Sequence, residues 1–261
     1  VKVICGNNKI VDGIIGIKAH HLTLIEERSK VVGIDKIYID IGCANRDEVL
    51  NTGIDIGSPI VYNKDFFNNG PIVFSPALDN RGGCLILLEL LRRLSDKNLN
   101  CSLALVATVL EEYNLRGVLP AAREIDPDFA IALDVAISCD TPDLDKTEIR
   151  LGKGPVVSRY SFHGRGTLGG VIPNPKLLKF VEDTALRANI HIQKNVFYGG
   201  LTDASFLFLE NKGIPAIELG FPARYTHSTY EACNINDVEA LIILLEKLIL
   251  NTDSTIDFSR G

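Results

Sequence analysis

The sequence divides into two parts that differ in how their hydrophobic residues are spaced. From about residue 74 onward, short apolar runs alternate with longer stretches in which apolar residues recur at helical spacing. The apolar runs predict buried strands, over residues 102–110, 129–133, 191–197 and 214–219. The longer stretches predict helices, over residues 80–94, 116–124, 174–188, 203–211 and 236–250. This alternation predicts an α/β fold whose mostly parallel sheet carries helices on both faces.

The first 73 residues carry a different pattern, in which short strand-like pieces are separated by glycine turns. One small helix is expected to begin at Asn45, because Glu48 stands at capping-box spacing from it. We therefore predict a smaller β-rich domain over residues 1–73 and an α/β domain over residues 74–261. The polar loop at residues 63–70 is the expected hinge between them.

Composition narrows the function classes. The chain has 261 residues and a net charge of −6, and no basic stripe offsets that charge, which argues against nucleic acid as a partner. No apolar run approaches the roughly 20 residues that a membrane span needs. The six cysteines lie far apart without a CxxC pair, which is typical of reduced cysteines in a cytoplasmic protein.

Acidic residues and one histidine stand at the ends of apolar segments in the second part. In open α/β sheets, the polar groups that act on ligands collect just past the carboxyl ends of strands. Five residues occupy such positions, namely Asp79, Glu111, Glu112, Asp134 and His227. Their mixed oxygen and nitrogen donors suit Zn²⁺, Co²⁺ or Mn²⁺ in a two-metal hydrolase.

The adjacent pair Glu111 and Glu112 is the most specific of these signals. Two neighbouring carboxylates repel each other unless a cation lies near them, and one solution makes one a metal ligand and the other a general base. The alternative is a solvated helix start, where acids favour the helix dipole. Taken singly, Asp79 is more typical of a helix N-cap than of a ligand, a structural role is similarly favoured for Asp134, and His227 could simply end a loop by hydrogen bonding. Only their combination favours a site.

Two weaker candidates stand elsewhere in the chain. His20 and His21 lie in the β-rich part, far in sequence from the acids, so a metal role there is the less favoured reading. Thr202 or Asp203 is expected to cap a helix, and a substrate contact is the second interpretation. A glycoside hydrolase using paired carboxylates is an alternative function. The absence of tryptophan and an aromatic content of 7% count against it.

Taken in order, seven segments resemble metallopeptidase family 42, which includes the glutamyl and TET aminopeptidases. They are GIIGIKAHHL, IYIDIG, ALDNRGG, the EE pair, ALDV, GGLTDA and ARYTHS. The resemblance runs from near residue 10 to about residue 250. It implies a di-metal exopeptidase that removes N-terminal residues from peptides and assembles as a homo-oligomer, usually a dodecamer. It also implies that the β-rich domain is an insertion used for assembly, and that the α/β domain is catalytic.

The resemblance also assigns roles to the candidate residues. It implies that Asp79 bridges two divalent metal ions and that Glu111 is the general base. It further implies that Glu112 and His227 ligate one ion and that Asp134 ligates the other.

One family motif is missing. Family members carry a His-x-Asp segment whose histidine ligates the second metal ion, and this sequence contains no His-x-Asp. The resemblance implies that the chain begins inside the inserted domain and lacks about a third of a complete member, and the absence of any methionine suggests further omitted residues. The second ion would then keep only Asp79 and Asp134 as protein ligands, and its affinity should fall. A non-catalytic fragment or relic that assembles through the β-rich domain is the remaining alternative.

Overall fold

The structure is a computed structural model that describes residues 1–6, 8–63, 65–144, 146–164 and 169–259. Its contacts divide the chain into two compact units, a β-rich unit over Val1–Asp65 and an α/β unit over Phe66–Gly261. The division falls inside the loop at residues 63–70, whereas the sequence pattern places the boundary at residue 73. The functional roles of the two domains stay predictions.

The described residues of the β-rich unit form five short strands, one α-helix and three 3₁₀ helices, the last at His20–Leu22, Ile25–Glu27 and Ile34–Lys36. The strands and the α-helix are named in chain order. They are β1 (Lys2–Ile4), β2 (Ile10–Asp12), β3 (Ile14–Gly16), β4 (Tyr38–Asp40), α1 (Arg46–Asn51) and β5 (Ile60–Val61). Strand β1 pairs antiparallel with both β2 and β5, and β3 pairs antiparallel with β4. The helix starts as predicted, because the Asn45 side chain accepts the backbone N–H of Glu48 at 3.0 Å.

In the part of the α/β unit that the structure describes there are eight strands, four α-helices and one 3₁₀ helix. In chain order they are β6 (Phe67–Asn69), β7 (Ile72–Ser75), α2 (Leu78–Leu94), α3 (Val118–Ile125), β8 (Ala130–Ile137), β9 (Val156–Phe162), β10 (Gly170–Val171), α4 (Pro175–Arg187), β11 (Gln193–Tyr198), the 3₁₀ helix (Asp203–Leu209), β12 (Ala216–Arg224), β13 (Glu231–Asn234) and α5 (Ile235–Leu250). No helix among the described residues is long and apolar enough to cross a membrane.

The eight strands form one mixed sheet, and the predicted α/β class is confirmed. Six of them run in the order β10-β9-β12-β13-β7-β6, with β11 beside β9 and β8 beside β12. The β8–β12 and β9–β11 pairs are parallel, and the other pairs are antiparallel. The sheet is therefore mixed rather than mostly parallel, since strands such as β6 and β7 follow each other through a tight turn that forces antiparallel pairing.

Both faces of the sheet are covered, since side chains that point to opposite faces of β12 lie in two different core clusters. Ile217, Leu219 and Phe221 are buried against α2, α4 and α5, in the larger core cluster. Ala216 lies on the opposite face, in a smaller cluster with α3 and the 3₁₀ helix. Successive strand residues point to opposite faces, so one strand contributes to both cores.

Three local predictions are corrected. Residues 102–110 form no regular strand, because none of the described strands pairs with them, and Val109 and Leu110 are 68% and 56% exposed. The segment after Thr202 is a 3₁₀ helix rather than an α-helix. The last helix is capped by Asn234 rather than Asn236, since the Asn234 side chain accepts the backbone N–H of Asn236 at 3.0 Å.

Candidate metal centre

Asp79 stands where strand β7 gives way to helix α2. The preceding Ala77 has a left-handed φ of 53°, and Asp79 and Asn80 have non-helical backbone angles, so regular helix begins only after them. The peptide bond between Asp79 and Asn80 is cis. The Asp79 side chain is only 10% exposed. Asp79 is therefore held in an irregular turn and is not the helix N-cap that the alternative interpretation required.

Asn80, which sequence reasoning did not single out, ties this turn to the sheet. Its amide nitrogen donates to the carbonyl of Leu133 at 2.7 Å and lies 3.4 Å from an oxygen of Asp134. Its amide oxygen accepts the backbone N–H of Gly83 at 2.9 Å. The start of α2 is thereby fixed to β8 beside Asp134.

Glu111 and Glu112 lie in a compact turn and do not follow a strand. Leu110 enters this turn with a φ of 59°, and the backbone N–H of Leu115 donates to the Glu111 carbonyl at 2.8 Å. Leu115 is 3% exposed and anchors the turn in the interior. Glu111 is partly buried and Glu112 is exposed, so the two neighbouring carboxylates have different environments.

Asp134 lies in the middle of strand β8, since that strand extends four residues beyond the predicted end at residue 133 to Ile137. It is opposite Gly220 in the parallel β8–β12 pair. One of its carboxylate oxygens accepts the backbone N–H of Val135 at 2.7 Å. A Cβ added to Gly220 would lie 2.2 Å from the Asp134 carbonyl, so only glycine fits opposite this residue.

His227 lies close to two of the other predicted residues, Asp79 and Glu112. It follows β12 in a turn where both Tyr225 and His227 have a left-handed φ of 62°. Its Nε2 lies 3.2 Å from Asp79 Oδ2 and 3.3 Å from Glu112 Oε2. One donor atom from each of these three residues lies within 4.8 Å of the others.

Two carboxylate oxygens and one imidazole nitrogen at these distances fit a divalent cation of the Zn²⁺, Co²⁺ or Mn²⁺ type. Asp134 and Glu111 are not members of this three-residue group. Burial raises the pKa of Asp134, and the nearby charges of Asp79 and Glu111 raise it further. The assignment of Asp134 to a second ion remains a prediction.

Burial and mutual repulsion favour the protonated forms of the carboxyl groups at this site. Burial and the charges of Glu112 and Glu231 raise the pKa of Asp79 to about 6, while His227 opposes the rise. Burial, followed by the charge of Asp203 and the neighbouring carboxylates, raises the pKa of Glu111 to about 7. Such excess negative potential is what a bound cation relieves.

Asp203 is a further carboxylate of this site, and sequence reasoning left its role open between a cap and a substrate contact. Thr202 provides the cap, since its hydroxyl accepts the backbone N–H of Ala204 at 3.3 Å. Asp203 instead accepts a hydrogen bond from the Thr108 hydroxyl at 2.6 Å, and burial raises its pKa. Its other oxygen is buried without a hydrogen-bond partner among the described residues.

Left-handed backbone conformations of non-glycine residues cluster around the proposed donors. Each costs on the order of 1–3 kcal/mol and persists only where the surroundings determine it. Among the described residues, six such residues lie in the turns that carry the proposed donors, namely Ala77, Leu110, Asn114, Leu115, Tyr225 and His227. By contrast, His20 and His21 lie in the β-rich unit and contribute to no three-donor group among the described residues.

An α/β unit that gathers carboxylates and an imidazole at one edge of its sheet has the arrangement of a metal-dependent hydrolase. Residues 1–244 match the family described as M42 glutamyl aminopeptidase, and the chain belongs to that family. It is accordingly an aminopeptidase, a hydrolase that acts on peptides, and metal dependence is typical of the family. The family resemblance predicted from the sequence motifs is confirmed.

Individual relatives agree with this membership. SgcX of Escherichia coli (strain K12) is 40% identical over 250 residues, which cover 95% of this chain and 67% of SgcX. The chain thus spans about two thirds of that relative's length. The TET aminopeptidase of Thaumarchaeota archaeon SCGC AB-539-E09 matches with a TM-score of 0.89 at 32% identity, over 97% of this chain and 70% of that one. A third match is the Pyrococcus horikoshii TET1 peptidase, with a TM-score of 0.82 at 30% identity over 96% of this chain and 71% of that one. That peptidase is described as able to assemble into a tetrahedron or a large octahedral shell.

Proposed function

We propose that the protein removes N-terminal residues from peptides with two divalent metal ions and a glutamate general base. The observation that carries the proposal is the convergence of Asp79, Glu112 and His227, whose donor atoms lie within 4.8 Å of one another. These three residues would hold one ion. Asp79 would be shared with a second ion, whose other protein ligand in this chain would be Asp134.

The ions would polarise the scissile carbonyl and make a water molecule more acidic. Glu111 takes the proton from the attacking water and later delivers it to the leaving amine. Burial and the charge of Asp203 raise the pKa of Glu111 and favour its protonated form, which is the form that would deliver a proton to the leaving amine. Its neighbour Glu112 is turned toward His227, which supports a division of labour within the pair.

The ligand roles follow from position. One oxygen of Asp79 lies next to His227, and the charge of Asp79 also acts on Asp134, which supports the proposal that Asp79 would be shared by the two ions. His227 contributes a neutral nitrogen donor between two carboxylates. Asn80 and the β8–β12 ladder hold Asp134 next to the start of α2.

The test measures hydrolysis of a panel of aminoacyl p-nitroanilides by the full-length protein, before and after chelation and after metal is restored. The proposal predicts loss of hydrolysis on chelation and recovery with Zn²⁺, Co²⁺ or Mn²⁺. Hydrolysis of aryl glycosides that survives chelation would instead support the glycoside hydrolase alternative. Metal-replete protein without either activity would support the non-catalytic relic.

We further propose that the protein is a cytoplasmic homo-oligomer, with a dodecamer as the expected size. The P. horikoshii TET1 peptidase, a structural neighbour, assembles into closed shells. The β-rich unit exposes large apolar side chains, including Ile17, Ile25 and Ile34 at 73–90% exposure, which is the character of a surface that packs against another chain. Light scattering on the purified protein gives the particle mass. A monodisperse monomer at micromolar concentration would contradict the assembly.

A further inference from the structure

We propose that Glu231 is a positioning residue that sets the separation between the backbones of Asp79 and His227, so that their side chains can share one cation. This inference rests on the proposed function, because it concerns the same metal centre. Glu231 carries no role in the mechanism above, and it lies four residues after His227.

The contacts of Glu231 reach both ligand-bearing segments. One carboxylate oxygen, Oε2, accepts the backbone N–H of Asp79 at 2.8 Å. The other, Oε1, accepts the backbone N–H of His227 at 2.9 Å. Glu231 is 2% exposed, so these two bonds to a charged acceptor are shielded from water.

The topology of the sheet explains why Glu231 can bind the backbones of both Asp79 and His227. Strand β13 pairs antiparallel with β7 on one side and with β12 on the other. Strand β7 leads into Asp79, and β12 leads into His227. Glu231 is the first residue of β13, at the end where both of these turns emerge. It therefore lies between the two segments whose spacing the metal centre requires.

Only a carboxylate on a side chain as long as that of glutamate can accept both backbone N–H groups at once. An amide would offer a single acceptor oxygen and would turn an N–H₂ group toward the second N–H. A shorter acid could not reach both N–H groups. We call the two hydrogen bonds that Glu231 accepts from the backbones of Asp79 and His227 the clamp. If the clamp were lost, at least one buried N–H would have no acceptor, and the left-handed turn at His227 would lose a contact that fixes it.

The test compares three variants of the full-length protein. Glu231→Gln removes the charge and one acceptor, whereas Glu231→Asp keeps the charge and shortens the side chain. The matched control is Asp237→Asn, because Asp237 is also buried and its two oxygens accept the backbone N–H groups of Gly152 and Gly154, both at 2.7 Å. Each variant is titrated with Co²⁺, and its affinity, visible absorption spectrum and Tm are recorded at a temperature where all are folded.

We expect both Glu231 variants to bind Co²⁺ about 10–100-fold more weakly and to shift its absorption bands, since outer residues tune ligand geometry. Asp237→Asn should lower Tm and leave Co²⁺ affinity and spectrum at wild-type values. If Glu231→Asp keeps the wild-type affinity and spectrum while Glu231→Gln does not, charge rather than position is responsible, and the inference is overturned. Equal changes in all three variants would also overturn it. Wild-type protein that binds no Co²⁺ would overturn the proposed function itself, whereas wild-type binding with unaffected Glu231 variants overturns the clamp alone.

Discussion

Nε2 of His227 lies 3.2 Å from Oδ2 of Asp79, although the two residues are far apart in the amino-acid sequence of the α/β unit. The same nitrogen lies 3.3 Å from Glu112. A neutral imidazole is a metal ligand, and the carboxylate oxygens on either side of it supply further donors. The contact therefore marks the position at which a cation is expected.

His227→Ala removes the nitrogen donor of this group. We expect the metal affinity at the first ion position to fall at least about 100-fold. Loss of a residue that only supports a ligand lowers metal affinity about 10–100-fold, and loss of the ligand itself should lower it more. Isothermal titration with Zn²⁺ measures the change. His191→Ala is the control, since His191 is an exposed histidine of the same unit. A His227→Ala protein that binds Zn²⁺ like the wild type would remove His227 from the ligand set.

Asp134→Asn tests the second ion. In this chain Asp79 and Asp134 are its proposed protein ligands, so we expect a weaker second binding step in the wild type and no second step in the variant. The first step should remain, because Asp134 is outside the group formed by Asp79, Glu112 and His227. Metal content after dialysis against graded Zn²⁺ gives the stoichiometry. Two equally tight ions in the variant would refute this assignment.

Sequence reasoning could single out the candidate residues because their chemistry is local, and the fold brings Asp79, Glu112 and His227 of that set together. Acids next to apolar runs and a histidine beyond the last parallel strand are visible without knowing how the strands pair. The same reasoning placed Glu111 at the end of a strand that does not form, because the apolar character of residues 102–110 does not reveal whether a partner strand is available. It also stopped β8 at residue 133, since a buried acid interrupts the apolar run.

The residues that sequence reasoning missed act through backbone groups. Asn80 and Glu231 bind backbone N–H and carbonyl groups of distant segments, and such contacts leave no periodic signal. For Glu231, the available sign was an acid four residues after a candidate histidine. That sign gains meaning only when β13 is known to lie between β7 and β12.

Asp203→Asn is expected to change the pH dependence. As the proposed base, Glu111 would work only when ionised, so activity on the acidic side should rise as its proton leaves. Burial and then the negative charge of Asp203 raise the pKa of Glu111, and removal of that charge lowers the pKa. The acidic limb of kcat/KM should therefore move to lower pH. An exposed control, Asp253→Asn, should leave it in place. Movement to higher pH would contradict the arrangement.

Gly82→Ala tests the packing that supports the turn at Asp79. A Cβ at Gly82 would lie 2.3 Å from Cζ of Phe221, which is 1% exposed in the core. Either the ring or the start of α2 must move, so we expect a loss of about 1–3 kcal/mol in the free energy of unfolding. Urea unfolding measures it, and adding Phe221→Leu to the variant should recover part of the loss. No recovery would place the strain elsewhere.

The central claim is that Glu111 is the base and Glu112 a ligand, and the paired variants Glu111→Gln and Glu112→Gln test it most directly. Hydrolysis of an aminoacyl p-nitroanilide and bound metal are measured on the same metal-replete samples of full-length protein. We expect Glu111→Gln to keep its metal while kcat falls by about 10²–10⁴-fold, and we expect Glu112→Gln to lose metal. If Glu111→Gln retains its metal and turns over within tenfold of the wild type, Glu111 is not the base.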